Sequence, residues 1–271
     1  MAGRNSGNAL KPALRLGGAM LLALAFVSCS GVPSSPDGAA KKMLRAHGGK
    51  KNAARLQSFA AKGFIKDLSS ETIAKSYAID IYRKGNLYKH KVMAAPAGKL
   101  TDVIVLYFDG TTSHEWLKGK GVRTIPSMEL GLLKYRFPEC IQWAQTAGRT
   151  GKLIPVKKGD TVVRIEYTDG PEVVTIAMDR KSWLLSGVEI KNVTDTAAVF
   201  TESYDHYTDI AGIPFPQEIK ATFGRAPYYE YLLSVIDLEA DMPDTLFRVT
   251  NEDTIGLASP VKTEPQAAPK R

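Results

Sequence analysis

Hydrophobic and polar residues alternate with a period of two along most of the chain from residue 59 to residue 239. Successive side chains of a pleated strand point to opposite faces, so the alternation predicts β-structure. Gly, Pro, Asn and Asp cut it into segments at 59–67, 74–83, 87–94, 101–108, 113–118, 153–156, 161–168, 172–179, 183–191, 196–207, 217–223 and 228–239. Gly85-Asn86, Asp109-Gly110 and Asp169-Gly170 are dipeptides of the kind that tight hairpins use. In the last part of this run, Ala211-Gly212-Ile213-Pro214-Phe215-Pro216 reads as one turn and residues 224–227 as the next. Each proline is thereby placed at a turn or a strand entry, where a missing N–H costs no ladder bond.

The same pattern assigns faces. Tyr77, Ile79 and Ile81 share one side of their strand, opposite Ser76, Ala78 and Asp80. Val163, Ile165 and Tyr167 share a side, opposite Arg164 and Glu166. The segment 102–108, DVIVLYF, is apolar on both faces and is expected to be a central strand covered on both sides. Helical spacing replaces alternation at 39–46, where Ala40, Met43, Leu44 and His47 fall on one face, Asp37 is placed to cap the start and Gly48-Gly49 stop the helix. His47, at that helix end, reads as a cation favoured by the dipole. A second short helix is expected over 52–56. Between 119 and 151 the alternation lapses, with an apolar cluster of Met128, Leu132, Leu133 and Tyr135. Pro138 then opens a helix, PECIQWAQTA, with Cys140, Ile141 and Ala144 on neighbouring positions and Gly148 as its stop. That helix reads either as a lid over one face or as an ordinary packing helix.

The expected fold is therefore mainly β (α+β), a curved antiparallel sheet of about eleven strands with a few helices. Sheets of more than about ten strands usually curl or split. Curling here gives an incomplete barrel with helices across its mouth and a concave apolar surface of the sort that holds small molecules or lipids. The residues expected to line it are Tyr77, Ile79, Ile81, Trp143, Val163, Ile165, Tyr167 and Trp183.

The N-terminus changes the picture of where this happens. Residues 1–15 are basic and 16–27, LGGAMLLALAFV, are apolar but shorter than the roughly 20 residues a membrane span needs. The segment 1–28 thus reads as a cleaved signal. Phe26-Val27-Ser28-Cys29 resembles a bacterial lipobox, with Phe26 standing where leucine is usual. The resemblance implies cleavage before Cys29 and a diacylglyceryl group on its sulfur. Ser30, rather than Asp, follows the cysteine, which by analogy with lipoprotein sorting favours the outer membrane. Residues 29–38 form a tether, 39–249 the folded body and 250–271 a disordered tail poor in large apolar groups.

The chain carries a formal charge of +8, and the first 28 residues hold Arg4, Lys11 and Arg15 without an acid, so the mature chain keeps a surplus of five. That surplus suits anionic lipid headgroups. The Lys and Arg are scattered rather than gathered into a stripe, which argues against nucleic acid. There are two cysteines. Acylation of Cys29 leaves Cys140 as a buried small hydrophobe, and a Cys29–Cys140 disulfide is the competing use.

The Ala46-His47-Gly48-Gly49 helix end, Asp109-Gly110 followed by Trp116, the strand Val174-Thr175-Ile176-Ala177-Met178-Asp179 before Trp183-Leu184-Leu185, and the run from Tyr207 to Pro216 together resemble the lipoprotein-localisation carriers of the LolA/LolB type, with their LppX-like relatives. The resemblance spans 39–248 and rests on the order of elements more than on any one motif. It implies a half-barrel with a helical lid and a hydrophobic cavity for acyl chains of a lipoprotein or lipid. Residues 128–133 are the candidate for a membrane-touching loop.

No catalytic constellation is written in the sequence. His47, His90, His114 and His206 lie far apart, without an HExxH motif, a cysteine pair, a GxSxG elbow or a phosphate-binding glycine loop. Asp205-His206 and His114-Glu115 are adjacent on strands, so their side chains are expected on opposite faces. The reading is a lipid-anchored, periplasm-facing acyl-chain carrier of the cell envelope, with no enzyme activity, cofactor, metal or nucleic acid. The alternatives are a structural or assembly lipoprotein that docks envelope proteins on the curved sheet, and an envelope hydrolase whose site assembles in the cavity.

Overall fold

The computed structural model describes residues 31–68, 75–94, 101–124, 132–147, 150–195 and 198–249. The signal 1–28, Cys29, residues 128–131, Gly148 and the tail 250–271 lie outside the described residues. Among those described are the strands β1 (Ser58–Asp67), β2 (Lys75–Lys84), β3 (Leu87–Ala94), β4 (Thr101–Phe108), β5 (Ser113–Leu117), β6 (Gly121–Thr124) and β7 (Lys152–Leu153). They continue as β8 (Val162–Asp169), β9 (Glu172–Asp179), β10 (Leu185–Asn192), β11 (Val199–Ile210), β12 (Ile213–Phe223) and β13 (Ala226–Asp237). The helices are α1 (Pro36–Ala46), α2 (Gly49–Arg55) and α3 (Glu139–Ala147).

All thirteen strands form one curved antiparallel sheet in the order β6-β5-β4-β3-β2-β1-β13-β12-β11-β10-β9-β8-β7, open at both ends. The first and last strands pair in its middle, Phe64 opposite Leu232 and Ile65 opposite Tyr231. Both free edges, β6 and β7, therefore come from mid-chain, and the segment that connects one edge to the other carries α3. Among the described residues there are thirteen strands rather than about eleven. β6 lies in the stretch where alternation lapses, and its four residues are too few to display a period of two.

β12 begins at Ile213, so Pro214 and Pro216 sit inside a strand, opposite Asp209 and Tyr207, instead of in a turn. The ladder explains this. The hairpin turns on Ala211 and Gly212, both with positive φ (52° and 81°), and closes on Ile210 and Ile213. Hydrogen-bonded and non-bonded pairs then alternate, which puts both prolines at non-bonded positions facing away from β11. On that other side β12 meets β13 only from Glu218 onwards, so no ladder bond is missing.

β4 is third from an edge, not central. Its outward Val105 and Tyr107 are nonetheless fully buried. The chain after β13 returns as a 3-10 turn, Asp244–Phe247, that packs on β3, with Met242 and Phe247 buried and Lys84 Nζ donating to Met242 O at 2.9 Å. The C-terminal segment thus packs on β3, the strand next to β4.

α1 starts at Pro36 with Ser35 as its cap: Ser35 Oγ accepts from Gly38 N at 3.2 Å. Asp37, expected in that role, instead pairs with Lys41 Nζ at 2.6 Å one turn on. Val32 already packs against the core. α2 begins at Gly49, three residues before the expected start. His47 is not a surface cation. It is fully buried at the end of α1, its Nδ1 2.9 Å from Met43 O and its ring edge-on to Tyr207, and burial lowers its pKa to about 4, so it is neutral.

Candidate functional site

The inner face of the sheet has two halves of different character. On β8–β11 it is covered: α1 lies on β8, and α3 packs against α1 through Cys140, Ile141 and Ala144, all fully buried. Burial pushes the Cys140 thiol well above its ordinary pKa, which removes it as a nucleophile. Gln145 Nε2 donates to Ala40 O at 2.6 Å and Gln142 Nε2 to Ala53 O at 2.9 Å, pinning α3 to α1 and α2. In this position α3 serves as a packing helix. Val163, Ile165 and Tyr167 lie beneath these helices, fully buried. Trp143 stands edge-on between Tyr135 and Tyr167, with ring centroids 4.9 and 5.0 Å away. Trp183 is not on a strand. It occupies the turn before β10 with φ 63°, under Lys42 Nζ at 4.5 Å.

On β2–β5 the inner face is more open. The register sets out rows across the strands. One runs Ile79, Val92, Ile104, Leu117, the next Ile81, His90, Leu106, Glu115, and a third Arg83, Tyr88, Phe108, Ser113. Ile79, Ile81 and Val92 are buried, while Tyr77, Tyr88, Ile104, Leu106, Phe108 and Leu117 keep part of their surface exposed. The result is a broad apolar wall with polar groups set into it. Of the eight residues the sequence singled out, Tyr77, Ile79 and Ile81 stand on this wall, and Val163, Ile165, Tyr167, Trp143 and Trp183 belong to the helix-covered half or its rim. The pattern that gave Tyr77, Ile79 and Ile81 would have reached Arg83 by one more step of two. The doubly apolar segment 102–108 would have given Ile104, Leu106 and Phe108.

Besides the Glu115–Arg123 pair at its edge, two further ion pairs border the wall. Arg136, on the segment leading into α3, donates from Nε to Glu202 Oε1 at 2.8 Å, and its Nη2 lies 2.6 Å from the same oxygen. Tyr229 OH donates to that oxygen too, and Tyr204 OH to Oε2 at 2.6 Å. Burial opposes the Arg136 charge, but the Glu202 carboxylate outweighs it and holds the guanidinium above its ordinary range. Arg83 Nε lies 2.5 Å from Glu139 Oε1, off the line of an aligned hydrogen bond. Burial raises the Glu139 pKa to about 7 despite Arg83. His90, buried beside Tyr231, is held neutral with a pKa of about 4 by burial and by the Arg136 charge.

The outer face carries a separate cluster. A left-handed backbone at His206 (φ 51°) breaks the alternation, so Asp205 and His206 do not face opposite ways. Their ligand-type atoms and those of Glu218 lie within 4.8 Å of one another. Glu218 is already engaged: His206 Nδ1 is 2.5 Å from Oε2, and Lys220 Nζ contacts Oε1. The Lys220 ammonium supplies the charge a cation would bring, and chiefly through that hydrogen bond it lowers the Glu218 pKa. A shallow groove of about 440 Å³ adjoins the cluster, lined by Asp179, Ser182, Ser203 and Lys220 among others. His114 stands apart on β5, paired with Tyr107 and Thr124.

No protein-family model matches the sequence, and no curated protein matches it either. Solved structures do match in fold. A LolA superfamily protein of Nitrosomonas europaea superposes with a TM-score of 0.53 at 14% identity, over 78% of this chain and 97% of that one. The two chains share one fold. A DUF1329 family protein of Desulfovibrio piger superposes with a TM-score of 0.55 at 10% identity, over 80% and 98% of the two chains. An outer membrane lipoprotein-sorting protein domain of Vibrio parahaemolyticus gives 0.49 at 12% identity, over 78% and 95%. At these identities the LolA likeness concerns the backbone architecture, as the order of elements implied.

Proposed function

We propose that this protein is a carrier that holds the acyl chains of a lipoprotein or lipid against the β2–β5 wall, at the cell envelope. The observation that carries the reading is the contrast between the two halves of a LolA-type sheet. One inner half is covered by α1 and α3, while Tyr77, Ile104, Leu106, Phe108 and Leu117 keep apolar surface free on the other. Burying acyl chain is worth about 0.8 kcal/mol per methylene, so ten carbons contribute roughly 8 kcal/mol before ordering costs. No catalytic group is required for this. Cys29 carries the diacylglyceryl anchor, and the body faces the periplasm from the outer membrane. Native mass spectrometry of the protein isolated from its own envelope tests this: bound acyl-chain species are expected, and a uniformly ligand-free protein would overturn it.

A second reading has its own observation. On the outer face Phe64, Leu232 and Val235 are 53%, 36% and 56% exposed, with Phe64 and Leu232 directly paired across β1 and β13. An apolar patch on the convex side suits docking of an envelope protein. That reading predicts in-cell cross-links from Val235 to another protein, in a molecule free of lipid.

A further inference from the structure

The carrier reading makes no use of the polar cluster on the outer face of β11 and β12. Asp205 and Glu218 stand opposite each other across the β11–β12 ladder. Consecutive residues of a regular strand point apart, but the left-handed backbone of His206 (φ 51°) swings its imidazole round to the side of Asp205. One imidazole nitrogen and two carboxylate oxygens are thereby held within 4.8 Å of one another, the only such triplet of ligand-type atoms among the described residues. Glu218 is 6% exposed and fixed in place, whereas the His206 side chain is 70% exposed and open to an arriving ion. Asp205 is oriented from within the strand, its Oδ1 accepting from His206 N at 2.7 Å.

Lys220 is the neighbour that any ion must contend with. Its Nζ contacts Glu218 Oε1, while His206 Nδ1 lies 2.5 Å from the other oxygen, Oε2. The ammonium has a second acceptor to lean toward, Glu230 Oε1 at 3.6 Å. Asp205 and Glu218 together carry two negative charges against the single positive charge of Lys220, so the cluster keeps an anionic surplus for a divalent ion. The groove of about 440 Å³ opens beside it, lined by Asp205 and Glu218 themselves and by the hydroxyls of Ser182, Ser186 and Ser203. It has room for the waters that complete a ligand shell, as at metal sites with three protein donors and an open position. The nitrogen donor narrows the ion: imidazole suits zinc, nickel and copper, whereas magnesium and calcium take oxygen ligands.

We infer that Asp205, His206 and Glu218 form a site for a divalent late transition-metal ion, with Lys220 as its built-in competitor for Glu218. The ion ties β11 to β12 at the point where their ladder skips the His206–Gln217 pair. The site lies on the opposite face from the apolar wall and stands whether or not the protein carries acyl chains.

The test is isothermal titration calorimetry of the full chain with zinc, nickel, magnesium and calcium chlorides in turn, in a non-chelating buffer at pH 7.5. Zinc and nickel are expected to bind with one high-affinity ion per chain, and magnesium and calcium at least about tenfold more weakly. H206N removes the imidazole but keeps a residue that tolerates left-handed backbone. It should weaken nickel binding at least about tenfold, with the melting temperature of the metal-free protein unchanged. K220M removes the competing ammonium and should tighten nickel binding about tenfold, an outcome that a folding defect does not mimic. H114N, on β5 and outside the cluster, should leave it unmoved. Binding that ignores H206N and K220M, or that H114N abolishes, would place the ion elsewhere and overturn the site. Calcium bound as tightly as zinc would reduce the cluster to an acidic patch, and no saturable binding of zinc or nickel would remove the site.

Discussion

Arg136 Nη2 lies 2.6 Å from Glu202 Oε1, and this contact ties the segment that leads into α3 to the inner face of β11. The carboxylate is deeply buried and also accepts from Tyr204 and Tyr229, while Phe137 N donates to Tyr204 OH at 3.0 Å. The connection between the two sheet edges is thereby anchored to the wall of the gutter by charge as well as by packing.

Removing one partner should be far worse than removing both. R136M strands a buried carboxylate and is expected to cost about 3–5 kcal/mol, whereas R136M/E202L removes both charges and should recover most of that loss. Urea denaturation of the two variants provides the measurement. A double variant as unstable as the single one would mean that the cost is lost packing rather than an orphaned charge.

Stability should peak slightly on the acid side of neutral. Burial lowers the pKa of His47 and His90 from 6.5 to about 4, so from about pH 4 to 6.5 the unfolded chain binds two more protons at these sites, and stability rises with pH there. Burial raises Glu139 from 4.5 to about 7, so between those values the folded chain holds one extra proton, and stability falls as pH rises. Where the windows overlap, the two histidines outweigh the one carboxyl, and above 6.5 only the downward slope remains. The expected profile of melting temperature against pH climbs to about 6.5 and then declines. E139Q should flatten the upper limb and H47F the lower. A profile still climbing between pH 6.5 and 7.5 in the wild type, unchanged by E139Q, would contradict it.

Gly63 sits at the register shift where β1 meets β13. A Cβ there would come 2.1 Å from Leu232 O, a backbone atom that cannot swing aside. G63A is expected to lose about 1–3 kcal/mol through forced separation of the two strands. Thermal unfolding checks this, and an unchanged midpoint would show that the central seam yields.

The strands were legible in the sequence because a sheet with one buried face imposes a period of two. Tyr77, Ile79 and Ile81 fell on the inner face for that reason. What escaped were features set by distant partners. The pattern of β4 reads as centrality, and nothing local announces that residues after 237 fold back onto the neighbouring strand β3. His47 looked like a surface cation because a helix end favours one, and its burial depends on Tyr207 and Phe137, far away in sequence. Pro214 and Pro216 read as turn residues because tolerance for proline inside a strand depends on where the neighbouring strand stops. The candidate site was half visible: its apolar rows follow from alternation, whereas the Arg83–Glu139 contact joins residues on separate elements that no spacing rule connects.

The central claim is that acyl chains lie on the β2–β5 half of the inner face, and photolabelling tests it most directly. A diazirine-bearing palmitoyl probe, bound to the full chain, irradiated and mapped by peptide mass spectrometry, is expected to mark Ile104, Leu106 and Phe108 and to spare Val163 and Ile165 beneath the helices. Labels concentrated on Phe64, Leu232 and Val235 of the outer face, or no saturable labelling at all, would contradict it.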